Sequence, residues 1–372
     1  MKVLLLFICL SLVSAGNLQI HIFNVGNADS QLLLFPSGFS ILIDAGEPTA
    51  ASSTSGKYLA KKLQTILGKK KIDVFVLTHY HCDHHGARDV GGVWYLLEKA
   101  GFSFTKFVTR NIGSYSGSTL AGCNKSTFAW KYVGEYSVTS MKFACYANSM
   151  TDKTKLSSIR EIAQRCSKTQ IAPPDSGATV QIINRDAGGL KDANGKLFAR
   201  NSMNEANPVA ENDFSVCLRI TFGKFVYSTC GDISGKEYVI SGGTHKYNNI
   251  ESKIAKYMGE VDLLHVNHHG VVDATNSVWA NTLKPTVAIS SKGADVVCPA
   301  KSVMTNLGNV GAKVYNTNNC KDVGTYSYFT EMSDDVVVIV PAGGSTFTIT
   351  NSSGGKKKTF NIKKSKAPVT CA

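Results

Sequence analysis

Residues Thr78 to Gly86 read Thr-His-Tyr-His-Cys-Asp-His-His-Gly, and four metal-ligating side chains, His79, His81, Asp83 and His84, fall within six positions. Imidazole nitrogens suit zinc, and added carboxylate oxygens also admit manganese. Four ligands packed this tightly cannot all serve one ion. A loop can, however, turn His79 and His81 toward one site and Asp83 and His84 toward a neighbour. Two ions held roughly 3.5–4 Å apart can activate a water and hold both the attacking and the leaving oxygen of a displacement. The competing reading is a surface histidine cluster without a role. Against it stands the run Ile72-Asp73-Val74-Phe75-Val76-Leu77 directly before the motif, which reads as a buried strand ending where the ligands begin.

The elements that must position this loop alternate along the chain. Leu18–Phe23, Gln31–Leu34 and Phe39–Ile43 read as short strands separated by Gly26 and by Pro36-Ser37-Gly38. Tyr58–Leu67 is apolar at helical spacing, Gly92–Lys99 looks helical, and Phe107–Thr109 reads as a strand. Residues 111–156 are rich in Gly, Ser and Tyr without clean periodicity and read as an insertion. Ser157–Cys166 is expected to be helical and Ala178–Ile183 a strand. Phe214–Ile220 and Phe225–Ser228 form a hairpin turning at Gly223. Then helices (Lys253–Met258, Asn276–Leu283, Lys301–Leu307) alternate with strands (Val261–Val266, Thr286–Ile289). The pattern predicts two sheets with helices outside them. Val336–Val340, Thr346–Thr350 and Thr359–Ile362 make a β-rich tail that reads as a small appendage.

Composition narrows the setting. Met1-Lys2, a short apolar core from Val3 to Leu10 and the small residues Ser14-Ala15-Gly16 predict a signal peptide over residues 1–15 and a secreted chain. No later stretch approaches the ~20 apolar residues of a membrane helix. The 372 residues carry a net charge of +13, which favours anionic partners such as nucleic acid or another phosphodiester. Part of the charge is local, in Lys69-Lys70-Lys71 and in Lys356, Lys357, Lys358, Lys363, Lys364 and Lys366. These lysines read equally as a substrate track or as a solvated surface. Of ten cysteines, Cys123, Cys145, Cys166, Cys298, Cys320 and Cys371 lie in polar contexts and are the bridge candidates. Cys82 and Cys230 read as small buried fillers, and Cys217 and Cys230 as metal ligands are disfavoured.

Several stretches, in order, resemble the metallo-β-lactamase superfamily, and more narrowly the hydrolase domain of the bacterial DNA-uptake channel protein ComEC. They are Phe23-Asn24-Val25-Gly26-Asn27-Ala28-Asp29-Ser30, Leu42-Ile43-Asp44-Ala45-Gly46, His79-Tyr80-His81-Cys82-Asp83-His84, Asn212-Asp213-Phe214-Ser215, Cys230-Gly231-Asp232 and His268-His269-Gly270. The resemblance implies a four-layer αββα sandwich over residues 17–330, interrupted by the insertion and followed by the basic β-rich tail at 331–372. It implies one ion held by Asp83, His84, Asp232 and His268, and another by His79, His81 and Asp232. Asp44 is then a carboxylate receiving hydrogen bonds from the metal loop, and His85 a donor that orients it. His269 is assigned to the shell around the metals or to substrate oxygens, as a proton source. His265 reads as a core histidine; His21 and His245 read as structural or exposed.

Two departures from the pattern carry expectations of their own. The histidine that many superfamily members place between the signature and the bridging Asp is absent, so Asn212, Asp213 or a water is the candidate to complete the first site, with Ser215 nearby. Where the narrower branch carries Gly-His-Pro, this chain has Val297-Cys298-Pro299. Export favours a Cys298–Cys320 disulfide there over a ligand role for the thiol. The expected activity is that of a secreted hydrolase with two zinc ions, manganese being the alternative, acting on phosphodiesters or nucleic acid. Hydrolysis of esters, lactones or β-lactams is the second reading, and a non-catalytic metal-binding protein the third.

Overall fold

The computed structural model describes residues 16–46, 55–88, 90–115, 117, 120–124, 126–130, 137–149, 156–189, 209–240, 245–293, 299–321 and 324–371. The expected signal peptide lies outside the described residues. Among those described, no helix is long and apolar enough to cross a membrane.

Two sheets face each other. The first has nine strands, in the order Lys358–Asn361, Thr346–Asn351, Val336–Pro341, Asn17–Ile22, Ser30–Leu34, Ser40–Ala45, Lys71–Leu77, Ser103–Thr109 and Arg160–Ile162. From Ser40–Ala45 onward the pairing is parallel. The second has seven strands, in the order Phe329–Glu331, Lys313–Asn316, Val287–Ser290, Leu263–His265, Phe225–Thr229, Cys217–Phe222 and Ala178–Asn184.

Side-chain alternation explains the layering. Ile41 and Ile43 point between the sheets with Leu18, Ile20, Val74, Val76, Leu218, Ile220, Leu263 and Val287. Leu42 and Phe75 point the other way, onto a layer containing Leu59, Leu63, Trp94 and Phe143. Strands buried on both faces must be apolar throughout, as Ser40–Ala45 and Lys71–Leu77 nearly are. The helix Ser55–Leu67 buries Leu59 and Leu63, one turn apart, and exposes Lys57, Lys61 and Gln64. Across the second sheet, Val226, Leu264, Ala288 and Val314 pack under Ile254, Met258, Trp279, Leu283 and Leu307 from three helices. The result is the αββα sandwich.

Three features differ from the sequence reading. Ser157–Cys166 is not one helix: a single turn, Leu156–Ile159, gives way to Arg160–Ile162, which pairs parallel with Phe107–Thr109. Open backbone groups on that edge outweigh weak helical spacing. Residues 111–156 contain a hairpin, Gly113–Tyr115 with Phe128–Trp130, and a helix, Val138–Ser149. That helix sends Phe143 and Tyr146 into the outer layer beside Trp94. The β-rich tail is joined to the first sheet: Val336–Pro341 runs antiparallel to Asn17–Ile22. Beyond its strands, Lys363 and Lys366 fold onto Asp262, which accepts from Lys363 N at 2.9 Å and pairs with Lys366 Nζ at 2.6 Å. Those two lysines are tied into the fold rather than free to track a substrate.

Disulfides join Cys123 to Cys145, Cys166 to Cys371 and Cys217 to Cys230. Cys230 is therefore a bridge partner and not a lone filler, because neighbouring antiparallel strands bring it within 3.9 Å, Cα to Cα, of Cys217. Cys82 is a free thiol, half-buried rather than enclosed. Cys320 is disulfide-bonded; its expected partner Cys298 lies outside the described residues.

Candidate metal centre

The loop Thr78–His81 leaves the strand Lys71–Leu77 and enters a one-turn helix, Cys82–His85. Asp44, at the end of the adjacent parallel strand, locks its start. Thr78 donates its backbone N–H to Asp44 Oδ1 at 2.8 Å and its hydroxyl to Oδ2 at 2.7 Å. His84 Nδ1 meets the same Oδ2 at 2.8 Å. Asp44 thus receives hydrogen bonds from the start of the loop and contacts His84, and together with Asp29 and His84 it forms a second buried group of ligand type. Its φ of 54° is left-handed, a region aspartate tolerates better than most residues. Two residues on, Gly46 has no side chain for a physical reason: a Cβ there would sit 1.6 Å from the Asp83 carbonyl.

Four ligand-type side chains converge: the coordinating atoms of Asp83, His84, Asp232 and His269 all lie within 4.8 Å of one another. His84 Nε2 is 3.2 Å from Asp232 Oδ1, and His269 Nε2 is 3.3 Å from Asp83 Oδ2 and 3.5 Å from Asp232 Oδ2. A second pair, His79 and His81, adjoins the same carboxylate. His79 Nε2 is 4.0 Å from Asp232 Oδ2 and 3.2 Å from His81 Nδ1. Asp232 is therefore placed between both groups. Its approach depends on Gly231, at φ 55°, where a Cβ would lie 2.6 Å from Thr78 Oγ1.

His269, rather than the expected His268, groups with the other ligand-type side chains. His269 joins the ligand group, with Nδ1 donating to the Ser291 carbonyl at 2.9 Å and Nε2 left to face the centre. His268 stands at the rim, its Nε2 3.0 Å from Asn212 Nδ2 and its Nδ1 3.1 Å from Asp273 Oδ1. The reason is backbone conformation: both residues adopt left-handed φ, 47° and 49°, so strand alternation does not extend through them. Non-glycine residues held this way cost about 1–3 kcal/mol each and concentrate at functional sites.

The remaining candidates separate in the same manner. Asn212 reaches His268, whereas Ser215 donates to the Asn212 carbonyl at 2.7 Å and accepts from Asp232 N at 3.3 Å. Asp213 turns away from the centre, accepting from Ser234 Oγ at 2.7 Å and from Asn248 N at 2.6 Å; it braces the scaffold and cannot complete the first site. His85 packs behind the loop, against the insertion helix. Its ring lies flat on Phe143, 4.2 Å between centroids, and burial pushes its pKa down to about 3. His265 is a core histidine bonded to Ser291 Oγ at 2.9 Å and 3.3 Å from Asp29.

Sequence reasoning missed Glu211, Arg110, Asp273 and Lys292. Glu211 accepts from Tyr80 N at 3.0 Å, between the two histidines of the motif, and pairs with buried Arg110. A charged residue directly after the apolar strand Ser103–Thr109 was the available signal. Lys292 is nearly buried; burial lowers its pKa, and Asp232 acts in the opposite sense to favour its charge. Among the described residues it has no ion-pair partner.

The donor set fits a divalent metal. His84 Nε2, His269 Nε2 and Asp232 Oδ1 are buried and, among the described residues, have no hydrogen-bond partner outside the group itself, while the opposite nitrogens of both imidazoles are engaged by Asp44 and Ser291. Such second contacts fix the tautomer that presents a lone pair inward. Burial works against charge on Asp83 and Asp232, but the neighbouring imidazoles outweigh it and hold both carboxyls below their ordinary range. Burial likewise opposes a charged His269, yet the carboxylates around it raise the ring to about 9. Carboxylates that draw protons onto these imidazoles would equally draw a cation, which then displaces the protons. Mixed nitrogen and oxygen donors suit zinc or manganese.

No family model matches the chain, and no curated protein matches it. The fold is similar to that of several solved structures. One, a Parabacteroides distasonis protein described as a metal-dependent hydrolase, is 14% identical with a TM-score of 0.39, covering 80% of this chain and 93% of the other. Another, a metal-dependent hydrolase of the β-lactamase superfamily, is 12% identical with a TM-score of 0.40, covering 80% and 95%. A diphosphatase of the PhnP family is 12% identical with a TM-score of 0.36, covering 87% and 99%.

Proposed function

We propose that this chain is a secreted metal-dependent hydrolase that cleaves phosphodiester bonds, with nucleic acid as substrate. The observation that carries the reading is the convergence of Asp83, His84, Asp232 and His269, whose ligand atoms all lie within 4.8 Å of one another, next to His79 and His81. When bound, divalent ions at these residues supply charge that neutralises a substrate's oxygens and makes water nucleophilic near neutral pH. Asp232 faces both ligand groups and sets their separation. Asp83 and His269, 3.3 Å apart, complete the first group. Lys292, a nearly buried cation without a carboxylate of its own, favours an anionic substrate over an uncharged ester. With His269 in the ligand group, the proton for the leaving oxygen is assigned to His268. Asp273 holds Nδ1 and Asn212 contacts Nε2; burial disfavours charge on the ring, but Asp232 and Asp273 outweigh it and raise the pKa. The net charge of +13 gathers a polyanion. Three disulfides suit an oxidising compartment. The resemblance of the ordered motifs to the DNA-uptake hydrolase domain points to the same substrate class.

Purified protein lacking residues 1–15 is incubated with fluorescent single-stranded DNA and zinc or manganese, then with EDTA, alongside Asp83→Ala. Metal-dependent cleavage lost in the variant is the expected result. Cleavage that survives Asp83→Ala, or bound metal with no cleavage under either ion, overturns the reading and sends the search to esters and lactones.

A further inference from the structure

A hairpin of two residues per strand, Tyr238–Val239 with Lys246–Tyr247, stands beside the centre, apart from both large sheets. Tyr238 is directly opposite Tyr247, and their rings stack at 4.9 Å between centroids and 15° between planes. The Tyr247 ring continues to His268, at 5.9 Å and 27°. His268 Nε2 is 3.9 Å from Asp232 Oδ2. The aromatic run therefore leads from half-buried Tyr238 to the residue between the two ligand groups. One carboxylate ties its ends together: Asp273 Oδ2 accepts from Tyr238 OH at 3.3 Å while Oδ1 holds His268 Nδ1 at 3.1 Å.

Tyr238 and Tyr247 belong to none of the three apolar cores among the described residues. Lys236 Nζ lies over the Tyr238 ring, 5.8 Å from its centroid, beside exposed Glu237, which pairs with Lys246, and Val239 is 46% exposed. Aromatic faces with lysines beside them are how proteins seat successive bases of a single strand, because every base has a π-face and every linkage a charge.

We propose that Tyr238, backed by Tyr247, is a stacking subsite that seats the nucleobase adjoining the scissile phosphate of a single-stranded nucleic acid. The assignment rests on the phosphodiesterase reading and names its substrate more closely: a polymer or short oligonucleotide with an unpaired base, not a phosphodiester in general. Stacking of one base corresponds to roughly 5- to 100-fold in affinity.

The test compares a base-bearing oligodeoxynucleotide with one abasic at the seated position, using wild type, Tyr238→Ala, Tyr238→Phe and Tyr238→Trp. Wild type should prefer the base-bearing strand, Tyr238→Ala should lose that preference through a rise of roughly 10-fold in KM, and Tyr238→Phe should keep it. A second readout needs no turnover. The added indole of Tyr238→Trp should be quenched, relative to wild type, by the base-bearing strand and not by the abasic one. Equal KM on both strands in every variant, or equal quenching by both, overturns the subsite while leaving the hydrolase reading intact. Absence of any phosphodiester cleavage overturns the hydrolase reading, and the quenching comparison still decides the subsite. If Tyr238→Ala fails to fold, the Phe and Trp variants carry the comparison.

Discussion

Glu211→Gln should be among the most damaging single-atom changes in this protein. Arg110 is 0% and Glu211 2% exposed. The guanidinium donates Nε to Glu211 Oε1 at 2.7 Å and a second bond from Nη2 to Oε2, a bidentate pair. The cation also lies 4.7 Å from the Phe214 ring centroid and 5.5 Å from that of Tyr80. Glutamine keeps an oxygen for the Tyr80 N–H but removes the countercharge, leaving a cation buried. Breaking such a pair costs about 3–5 kcal/mol. Asp186, on which Arg110 also acts, compensates in part and points to the lower end. Replacing both partners, as Arg110→Met with Glu211→Leu, removes the buried charges and leaves the unmatched Tyr80 N–H, worth about 1–3 kcal/mol. The double variant should therefore lose far less than the sum of the singles, a coupling of about 3 kcal/mol or more. Urea unfolding followed by circular dichroism, with disulfides intact, measures wild type, Glu211→Gln, Arg110→Met, Glu211→Leu and the double variant. Metal titration against a competing chelator tests the functional link, because Tyr80 separates His79 from His81. A Glu211→Gln protein within about 1 kcal/mol of wild type, or strictly additive losses, would refute the reasoning.

Asp44→Asn should leave the fold intact but weaken metal binding by about 10- to 100-fold, since Asp44 orients both Thr78 and His84; unchanged affinity in a chelator competition would count against it. Gly231→Ala sets a Cβ against Thr78 at a left-handed φ and should cost about 2–4 kcal/mol in urea unfolding, against near-neutrality if the loop yields. Burial raises Asp213 to about 7, so the folded state prefers its neutral form. The stability this contributes is full below about pH 4 and is lost as pH rises through about 7, at no more than about 1.4 kcal/mol per pH unit. Asp213→Asn should flatten the stability curve over that window, and a curve parallel to wild type would remove Asp213 as its source. Cys166→Ala with Cys371→Ala opens a closure of 205 residues and should cost about 3–5 kcal/mol by the loop-entropy account; an unchanged urea midpoint would show that the tail's other contacts suffice.

The layers and the position of the ligands are written into the order of residues. Apolar strands buried on both faces, such as Ser40–Ala45 and Lys71–Leu77, leave their period and length there. A metal loop announces itself because His79, His81, Asp83 and His84 are close in sequence as well as in space. Asp44 entered through the family resemblance of Leu42-Ile43-Asp44-Ala45-Gly46, not through periodicity. Other features exist only in the folded chain. The place of His269 in the ligand group, with His268 at its rim, depends on two left-handed residues that no periodicity encodes. Glu211 meets Arg110 across 101 residues, and Cys166 meets Cys371 across 205. The turn from helix to edge strand at Arg160–Ile162 depends on an open neighbour supplied by Ser103–Thr109. Local pattern records what each segment must bury; which distant groups then share a charge, a ligand position or a bridge is settled when the two sheets close on one another.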